Sequence, residues 1–326
     1  MKLYVNERGW AEKLIAGAKP SITLRSAIPA KIKGVRYIRE VGKIYLRALL
    51  NWKQTPAWLE LLNSHPAFSE YIRNCPRILY KVYRPYNSHA LDATQRLEAI
   101  RAHYHFMFRR GLGQTIARAS IGPVVLGEAV GKSDAVYQIQ LRTINMFDRE
   151  GELALQLTRD DKAIYTTAFT VAPRDGVPTI NLGCIQGGKT EDAREAIRVA
   201  TRELHGIRPK QLMASLVQQL GFDYGCERMV MVSNRNRVIY KAIKHGRVLA
   251  DYDQLWNEMG ARARADGDFE LDCVPPAAPD LAHIPSKKRS EAKKRHELLR
   301  ALAHDVAVGL RARQADVAPP VLSRAL

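Results

Sequence analysis

The feature that most constrains the fold of this chain is a change in hydrophobic period near residue 120. Before it, apolar residues recur at helical spacing, as in the face formed by Leu97, Ile100, Tyr104 and Phe108. After it, apolar and β-branched residues alternate in short runs between Gly, Asp and Pro turns, which is typical of antiparallel strands. The predicted strands cover residues 124–126, 135–141, 153–157, 163–171 and 179–185. We therefore predict an α/β (α+β) fold, in which a helical N-terminal unit precedes a mixed, largely antiparallel sheet.

The second half of the chain returns to helical spacing and adds one further strand. Helices are predicted over residues 191–204, 211–220 and 238–244, and a buried strand over residues 229–232. Together with the hairpins these elements make one core. The predicted organisation is a helical unit over residues 1–115, an α/β core over residues 116–272, a Pro- and Ala-rich linker over residues 273–285, and a C-terminal helix over residues 286–326.

The C-terminal helix is basic and amphipathic. Its start is rich in Lys and Arg, and Leu299, Leu302, Val306 and Leu310 follow at helical spacing. Two roles stay open: the apolar face docks on the body of the protein, or the helix binds a membrane surface or nucleic acid. Because the linker separates it from the core, we expect this helix to be peripheral to the functional site.

The charge balance indicates a negatively charged partner. The 326 residues include 51 Lys and Arg against 33 Asp and Glu, a formal net charge of +18. Such a surface attracts nucleic acid, anionic lipid headgroups or phosphorylated small molecules. Aromatic residues make up 7% of the chain and are not interleaved with basic residues as in a base-reading surface, which disfavours nucleic acid. We therefore expect an anionic small-molecule ligand, while the sequence predicts no oligomeric state.

The four cysteines indicate a reducing compartment. Cys75, Cys184, Cys226 and Cys273 are far apart and form no metal-binding or disulfide pattern, so we interpret them as core thiols and expect no metal. The N-terminus carries no apolar signal region, and no stretch approaches about 18 uninterrupted apolar residues. These observations predict a cytoplasmic protein, with peripheral contact at the inner membrane as the alternative.

A phosphate-loop pattern, GxxxxGK[ST], occurs from Gly183 to Thr190. A strand that enters a glycine turn and then a helix presents backbone N–H groups and the positive end of a helix to a phosphate. The upstream strands are predicted antiparallel and no acidic residue follows the strand at 229–232, which argues against a nucleotide triphosphatase. Either the turn contacts a ligand phosphate without hydrolysing it, or it is purely structural. The residues concerned are Gln186, Gly187, Gly188 and Lys189.

A second cationic cluster lies in the break between two predicted helices. His205, Arg208 and Lys210 surround Gly206 there, and Arg and Lys at a glycine-permitted break can converge on an anion. A helix C-cap that uses Gly206, with His205 in the last turn, explains part of the same string without a ligand.

The region after the strand at 229–232 is similar to the second half of the GCN5-related N-acyltransferase core. There, a strand, a polar break containing Asn234, a helix with Tyr240 and a further strand follow one another. The resemblance implies that Asn234 and Tyr240 lie near a thioester sulfur, that Tyr240 protonates the leaving thiolate, and that the strand and glycine turn at 179–188 hold the pyrophosphate of coenzyme A. A buried strand followed by a helix with a packed tyrosine is the alternative.

Short motifs are distributed over most of the chain, at residues 130–134, 137–141, 169–170, 185–187, 201–202, 205–210, 234–238, 252–256, 266–269 and 286–289. Their combined order resembles the VirK/YbjX family over residues 35–300. That resemblance implies a role connected with the bacterial envelope, virulence and resistance to cationic peptides, without an established activity.

The function predicted from the sequence is transfer of an acyl group from coenzyme A, or another phosphopantetheine thioester, to an amine. Tyr240 is the expected general acid, His205 the expected base, and Asn234 the third catalytic residue. The alternative is a non-enzymatic membrane-surface or regulatory protein acting on the envelope, and a nucleic-acid binder is third. The expected donor-binding residues are Gln186, Gly187, Gly188, Lys189, Arg208 and Lys210.

Overall fold

The computed structural model describes residues 22–143, 147–239 and 251–315, with side chains to residue 311. The chain divides after Arg84 into two compact units. The first unit contains α1 (Gly34–Leu50), α2 (Thr55–Asn63), α3 (Ala67–Asn74) and two 3-10 helices, Leu24–Ala27 and Pro76–Tyr83. Its core packs Trp58 against neighbouring apolar residues, and the Trp58 indole donates to the Leu79 carbonyl at 3.2 Å. The N-terminal unit is therefore helical, as the spacing of its apolar residues predicts.

The second unit begins with two helices that the sequence assigns to the first. These are α4 (Ala93–Arg109) and α5 (Gly113–Ile121). The His103 Nδ1 atom of α4 accepts a hydrogen bond from the Val171 amide of the sheet at 3.1 Å, and Tyr104 and Met107 of the same helix are buried. The division at Arg84 instead of residue 115 follows from where the apolar face of α4 packs, which helical periodicity alone does not specify.

One eight-stranded sheet organises the described part of the second unit, in the order β1-β2-β3-β4-β5-β6-β8-β7. Consecutive strands β1 to β5 pair antiparallel, as their short connections predict. The strands are β1 (Val124–Val130), β2 (Val136–Arg142), β3 (Leu153–Arg159), β4 (Lys162–Val171), β5 (Thr179–Gly187), β6 (Arg228–Met231), β7 (Arg262–Ala263) and β8 (Phe269–Asp272). The structure is thus a mixed α/β fold with a largely antiparallel sheet.

Strands β5 and β6 form a parallel pair within this sheet. Parallel neighbours need a crossover connection, and two helices supply it here, α6 (Glu191–Glu203) and α7 (Pro209–Asp223). A short helix, α8 (Tyr252–Glu258), lies between β6 and the β7–β8 hairpin in sequence. The two strands run in the same direction, and β5 continues five residues beyond its last pair with β6, Leu182 with Met231, to reach Gly187.

The C-terminal helix α9 (Ser286–Ala315) packs on the second unit. Leu302, Val306 and Leu310 are buried, and a Cβ atom added at Gly309 would lie 2.8 Å from the Leu126 carbonyl oxygen of β1. The strand that the helix contacts, β1, is four strands away from β5 in the sheet order, and the peripheral position of the helix relative to the functional site stays a prediction. The apolar face of the helix docks on the body of the protein, and its early Lys and Arg side chains are exposed.

Among the described residues, no helix is both long enough and apolar enough to cross a bilayer.

Candidate functional site

The glycine turn after β5 is a short strand-to-helix junction. Strand β5 runs to Gly187, and the Thr190 hydroxyl caps α6 by accepting from the Ala193 amide at 3.2 Å. A Cβ atom at Gly188 would collide with Ala193, so packing of α6 on the turn accounts for that glycine. Lys189 is exposed. Because residues 183 and 184 lie inside β5, the junction is shorter than a phosphate loop that wraps a triphosphate.

Arg208 and Lys210, two of the predicted donor-binding residues, form ion pairs with helix α8. Arg208 donates to Glu258 at 2.8 Å, and the Lys210 ammonium lies 3.6 Å from the same carboxylate. Lys210 also contributes to lowering the pKa of Asp251, whose main causes are hydrogen bonds from the Gln254 amide and from Asn234. The structure thus brings Arg208 and Lys210 together around α8.

Asn234 also binds this helix. The side-chain nitrogen of Asn234 donates to Asp251 at 2.8 Å, and its side-chain oxygen Oδ1 accepts from the Tyr252 backbone amide at 2.9 Å. The Asn234 backbone amide donates to Asp253 at 2.8 Å. These bonds hold the first turn of α8 against the end of β6, so Asn234 positions α8.

His205 lies apart from these residues. It adopts a positive φ of 54° after α6, and its carbonyl accepts from Arg295 of α9 at 3.2 Å. Desolvation lowers the pKa of the imidazole, and Lys132 and Lys294 lower it further. Helix α6 spans about 20 Å at 1.5 Å per residue, so its C-terminal neighbour His205 is far along the helix from the glycine turn. Tyr240, with most of the predicted helix 238–244, lies outside the described residues.

A buried polar cluster lies at the carboxyl end of β5, formed by Glu150, Cys184, Arg237 and Tyr252. All four side chains are nearly inaccessible to solvent. The Tyr252 hydroxyl accepts from the Ile185 amide at 2.9 Å and lies 3.7 Å from the Cys184 sulfur. The Arg237 guanidinium stacks on the Tyr252 ring, with 3.7 Å between its carbon and the ring centroid. A cation, a carboxyl group, a thiol and a phenol therefore share one interior site.

Burial sets the protonation states of this cluster. Desolvation raises the pKa of Glu150 to about 7, against the lowering effects of its hydrogen bond with Cys184 and of nearby Arg237. Desolvation also raises the pKa of Cys184 and of Tyr252 well above their ordinary values. The thiol and the phenol are neutral at pH 7, while the Glu150 carboxyl group can give or take a proton there. Among the described residues, no group of His, Cys, Asp and Glu is placed to hold a metal ion.

Local sequence explains why the cluster forms. Gly183 has no side chain, and a Cβ atom there would collide with the Glu150 carbonyl oxygen, so glycine lets the loop before β3 approach β5. The Arg237 amide donates to the Ser233 carbonyl in a tight turn after β6. The sequence predicts Cys184 as a core thiol and predicts no role for the other three members of the cluster. A glycine in the middle of an apolar strand was the available signal, since it marks a close backbone approach.

Comparison with known proteins identifies the family. Residues 33–308 match a family described as "Protein of unknown function (DUF535)". The chain is 28% identical over 290 residues to "Uncharacterized protein YbjX" of Escherichia coli (strain K12), which covers 87% of this chain and 86% of that protein. It is 22% identical over 277 residues to an "Uncharacterized protein" of Haemophilus influenzae, covering 83% of this chain and 91% of the relative. No solved structure matches the chain. The chain therefore belongs to the DUF535 family, which is the VirK/YbjX family that its motifs resemble.

Proposed function

We propose that the protein transfers an acyl group from a phosphopantetheine thioester, such as a coenzyme A thioester, to an amine. The observation that carries the proposal is that strand β5 extends beyond its parallel pairing with β6 and then turns into a helix. Strand β5 pairs with β6 only as far as Leu182 and Met231, whereas β5 itself continues to Gly187. In open α/β sheets, ligands bind at the carboxyl ends of parallel strands, where the chain turns into a helix.

The glycine turn supplies the site for the anionic end of the donor. Gly188 and Lys189 are exposed and precede the first turn of α6. Two acidic residues, Glu191 and Asp192, occupy that turn, but Glu191 is paired with Arg194 and Arg198 at 3.3 Å each. The N–H groups of the turn and the Lys189 ammonium then favour a pyrophosphate.

The buried polar cluster supplies the proton acceptor. Transfer requires the amine nitrogen to attack the thioester carbonyl carbon, the C–S bond to break, and a proton to pass from the amine to a base. Glu150 suits that role, because its pKa of about 7 lies near working pH and its carboxyl group contacts Cys184 on β5. His205, the base expected from the sequence, lies beyond the other end of α6.

The leaving thiolate needs an acid, and Tyr240 remains our assignment. It follows Arg237 of the buried polar cluster by three residues. We assign Asn234 to positioning, because its hydrogen bonds hold the start of α8 beside this cluster. Arg208 and Lys210 share Glu258, and they form a second cationic contact for the donor if a phosphate displaces that carboxylate.

The proposal is tested by calorimetry with coenzyme A and by acyl transfer from acetyl-coenzyme A to a panel of amines. We expect Lys189→Ala to weaken coenzyme A binding, whereas Lys162→Ala, at an exposed lysine that begins β4, leaves it unchanged. Tyr240→Phe keeps the ring and is expected to lower the transfer rate about a hundredfold while donor affinity stays constant.

One result contradicts the proposed reaction, and another contradicts only the role of Tyr240 in it. Absence of coenzyme A binding by the wild-type protein rejects the thioester donor. Binding with undiminished transfer in Tyr240→Phe keeps the reaction and removes Tyr240 from it.

A further inference from the structure

Helix α1 carries an exposed apolar stripe that no described part of the chain covers. The stripe follows helical spacing along α1, and two of its members, Ile38 and Leu49, are 69% and 68% exposed. Trp52 lies just beyond the end of the helix and is also exposed. The apolar stripe consists of Val35, Ile38, Leu46 and Leu49.

The opposite side of α1 is packed within the first unit. Ile44 is fully buried and Ala48 nearly so. The helix is therefore fixed to its unit by one face, and the apolar stripe is held at the protein surface. Contiguous exposed apolar residues of this kind mark an interaction site.

A row of cations borders the apolar stripe. Arg36, Arg39 and Lys43 are exposed and lie at spacings of three and four residues, so they form one basic flank beside the stripe. Between residues 31 and 53 the chain has seven Lys or Arg and one acidic residue, Glu40, which pairs with Lys43 at 3.0 Å. The complementary surface is thus apolar at its centre and negatively charged at its rim.

We propose that α1 docks the protein on an anionic phospholipid surface, lying in the plane of the interface. The apolar stripe enters the boundary between headgroups and acyl chains, the basic flank binds anionic headgroups, and Trp52 lies at the interface. A groove in a protein partner would need to enclose more of the helix, and the packed face of Ile44 prevents that. The C-terminal helix is a poorer candidate, since its apolar residues Leu302 and Val306 are buried.

Vesicle co-sedimentation of the full chain tests this proposal. With vesicles of equal parts phosphatidylcholine and phosphatidylglycerol at low ionic strength, we expect binding that is absent with phosphatidylcholine alone. Ile38→Ser/Leu49→Ser is expected to weaken binding about tenfold or more, since two exposed side chains lose their apolar contact with lipid. The control Phe222→Ser/Val308→Ser removes two apolar residues exposed elsewhere and is expected to bind as wild type does.

The basic flank is tested separately. Arg36→Gln/Arg39→Gln/Lys43→Gln is expected to weaken binding to the anionic vesicles about a hundredfold, from roughly fivefold for each of the three cations near an anionic surface. The control, Arg194→Gln/Arg198→Gln/Arg202→Gln on α6, removes the same charge from exposed positions and is expected to bind as wild type does.

Three results would contradict the proposal that α1 docks on lipid. The first is failure of the wild-type protein to bind anionic vesicles, and the second is binding by Ile38→Ser/Leu49→Ser equal to that of the wild type. The third is conversion of a wild-type dimer to a monomer by the same variant without any change in vesicle binding. The first result points to a protein partner or another segment of the chain, and the third to a second copy. None of these results bears on coenzyme A binding at the carboxyl end of β5.

Discussion

The Glu150 carboxyl group makes stability depend on pH in a defined window. Its pKa is about 7 in the folded protein and 4.5 when solvated. Between these values the folded state holds a proton that the unfolded state has lost, so the free energy of unfolding falls as pH rises. The stabilisation due to protonated Glu150 is fully present below the pKa of the unfolded state. It is lost as pH rises through the pKa of the folded state. Its upper bound is roughly 3 kcal/mol.

We predict that Glu150→Gln removes this dependence, because the amide is nearly isosteric and does not titrate. Urea unfolding of the wild-type protein and the variant at pH 5 and pH 8 measures it. The fall in unfolding free energy between the two pH values should be smaller in the variant. Equal falls in both proteins would mean that Glu150 is ionised throughout.

At the candidate site, the sequence predicts the residues of the glycine turn but not the buried polar cluster. Gly187, Gly188 and Lys189 lie at a strand-to-helix junction, as the local pattern indicates. Glu150 joins Cys184 only through the close approach at Gly183, which is a tertiary contact. No local pattern encodes that contact, so the titrating carboxyl group was missed although the strand beside it was predicted.

Among the secondary-structure elements, the five hairpin strands were predicted best. Alternation and turn residues are local signals, and consecutive strands usually pair, so order and direction follow together. The pairing of β5 with β6 was not predicted, because α6 and α7 intervene and their length does not identify the neighbouring strand. The sequence also does not predict that α4 belongs to the second unit, since an apolar helix face does not specify which element it packs against.

Helix α9 should contribute substantially to stability, because its apolar face is buried on the second unit. We predict that Leu302→Ala, at a side chain that is 1% exposed, lowers the free energy of unfolding by about 2–5 kcal/mol. Val308→Ala, on the exposed side of the same helix, should change it by less than about 0.5 kcal/mol. Urea unfolding followed by circular dichroism measures both. Equal effects of the two substitutions would show that α9 is detached in solution.

At the scale of the whole molecule, the division after Arg84 separates the proposed activities. The buried polar cluster and the glycine turn lie in the second unit, and the apolar stripe lies in the first. We predict that a chain beginning at Pro85 folds cooperatively and retains the pH dependence due to Glu150, because the sheet and its covering helices all follow that residue. Near-ultraviolet circular dichroism and a thermal melt measure this. A melt without a cooperative transition would show that the second unit requires the first.

The contact between α9 and β1 has a consequence for synthesis. The last described helix covers the first strand of the sheet, so these partners are separated by most of the second unit. On the ribosome, the hairpins from β1 to β5 emerge well before the helix that covers β1. Contacts of such long sequence separation form slowly, and unfinished sheets expose apolar surface. The nascent protein should therefore depend on chaperones until α9 has emerged from the ribosome, and premature termination before residue 300 should yield an aggregating product.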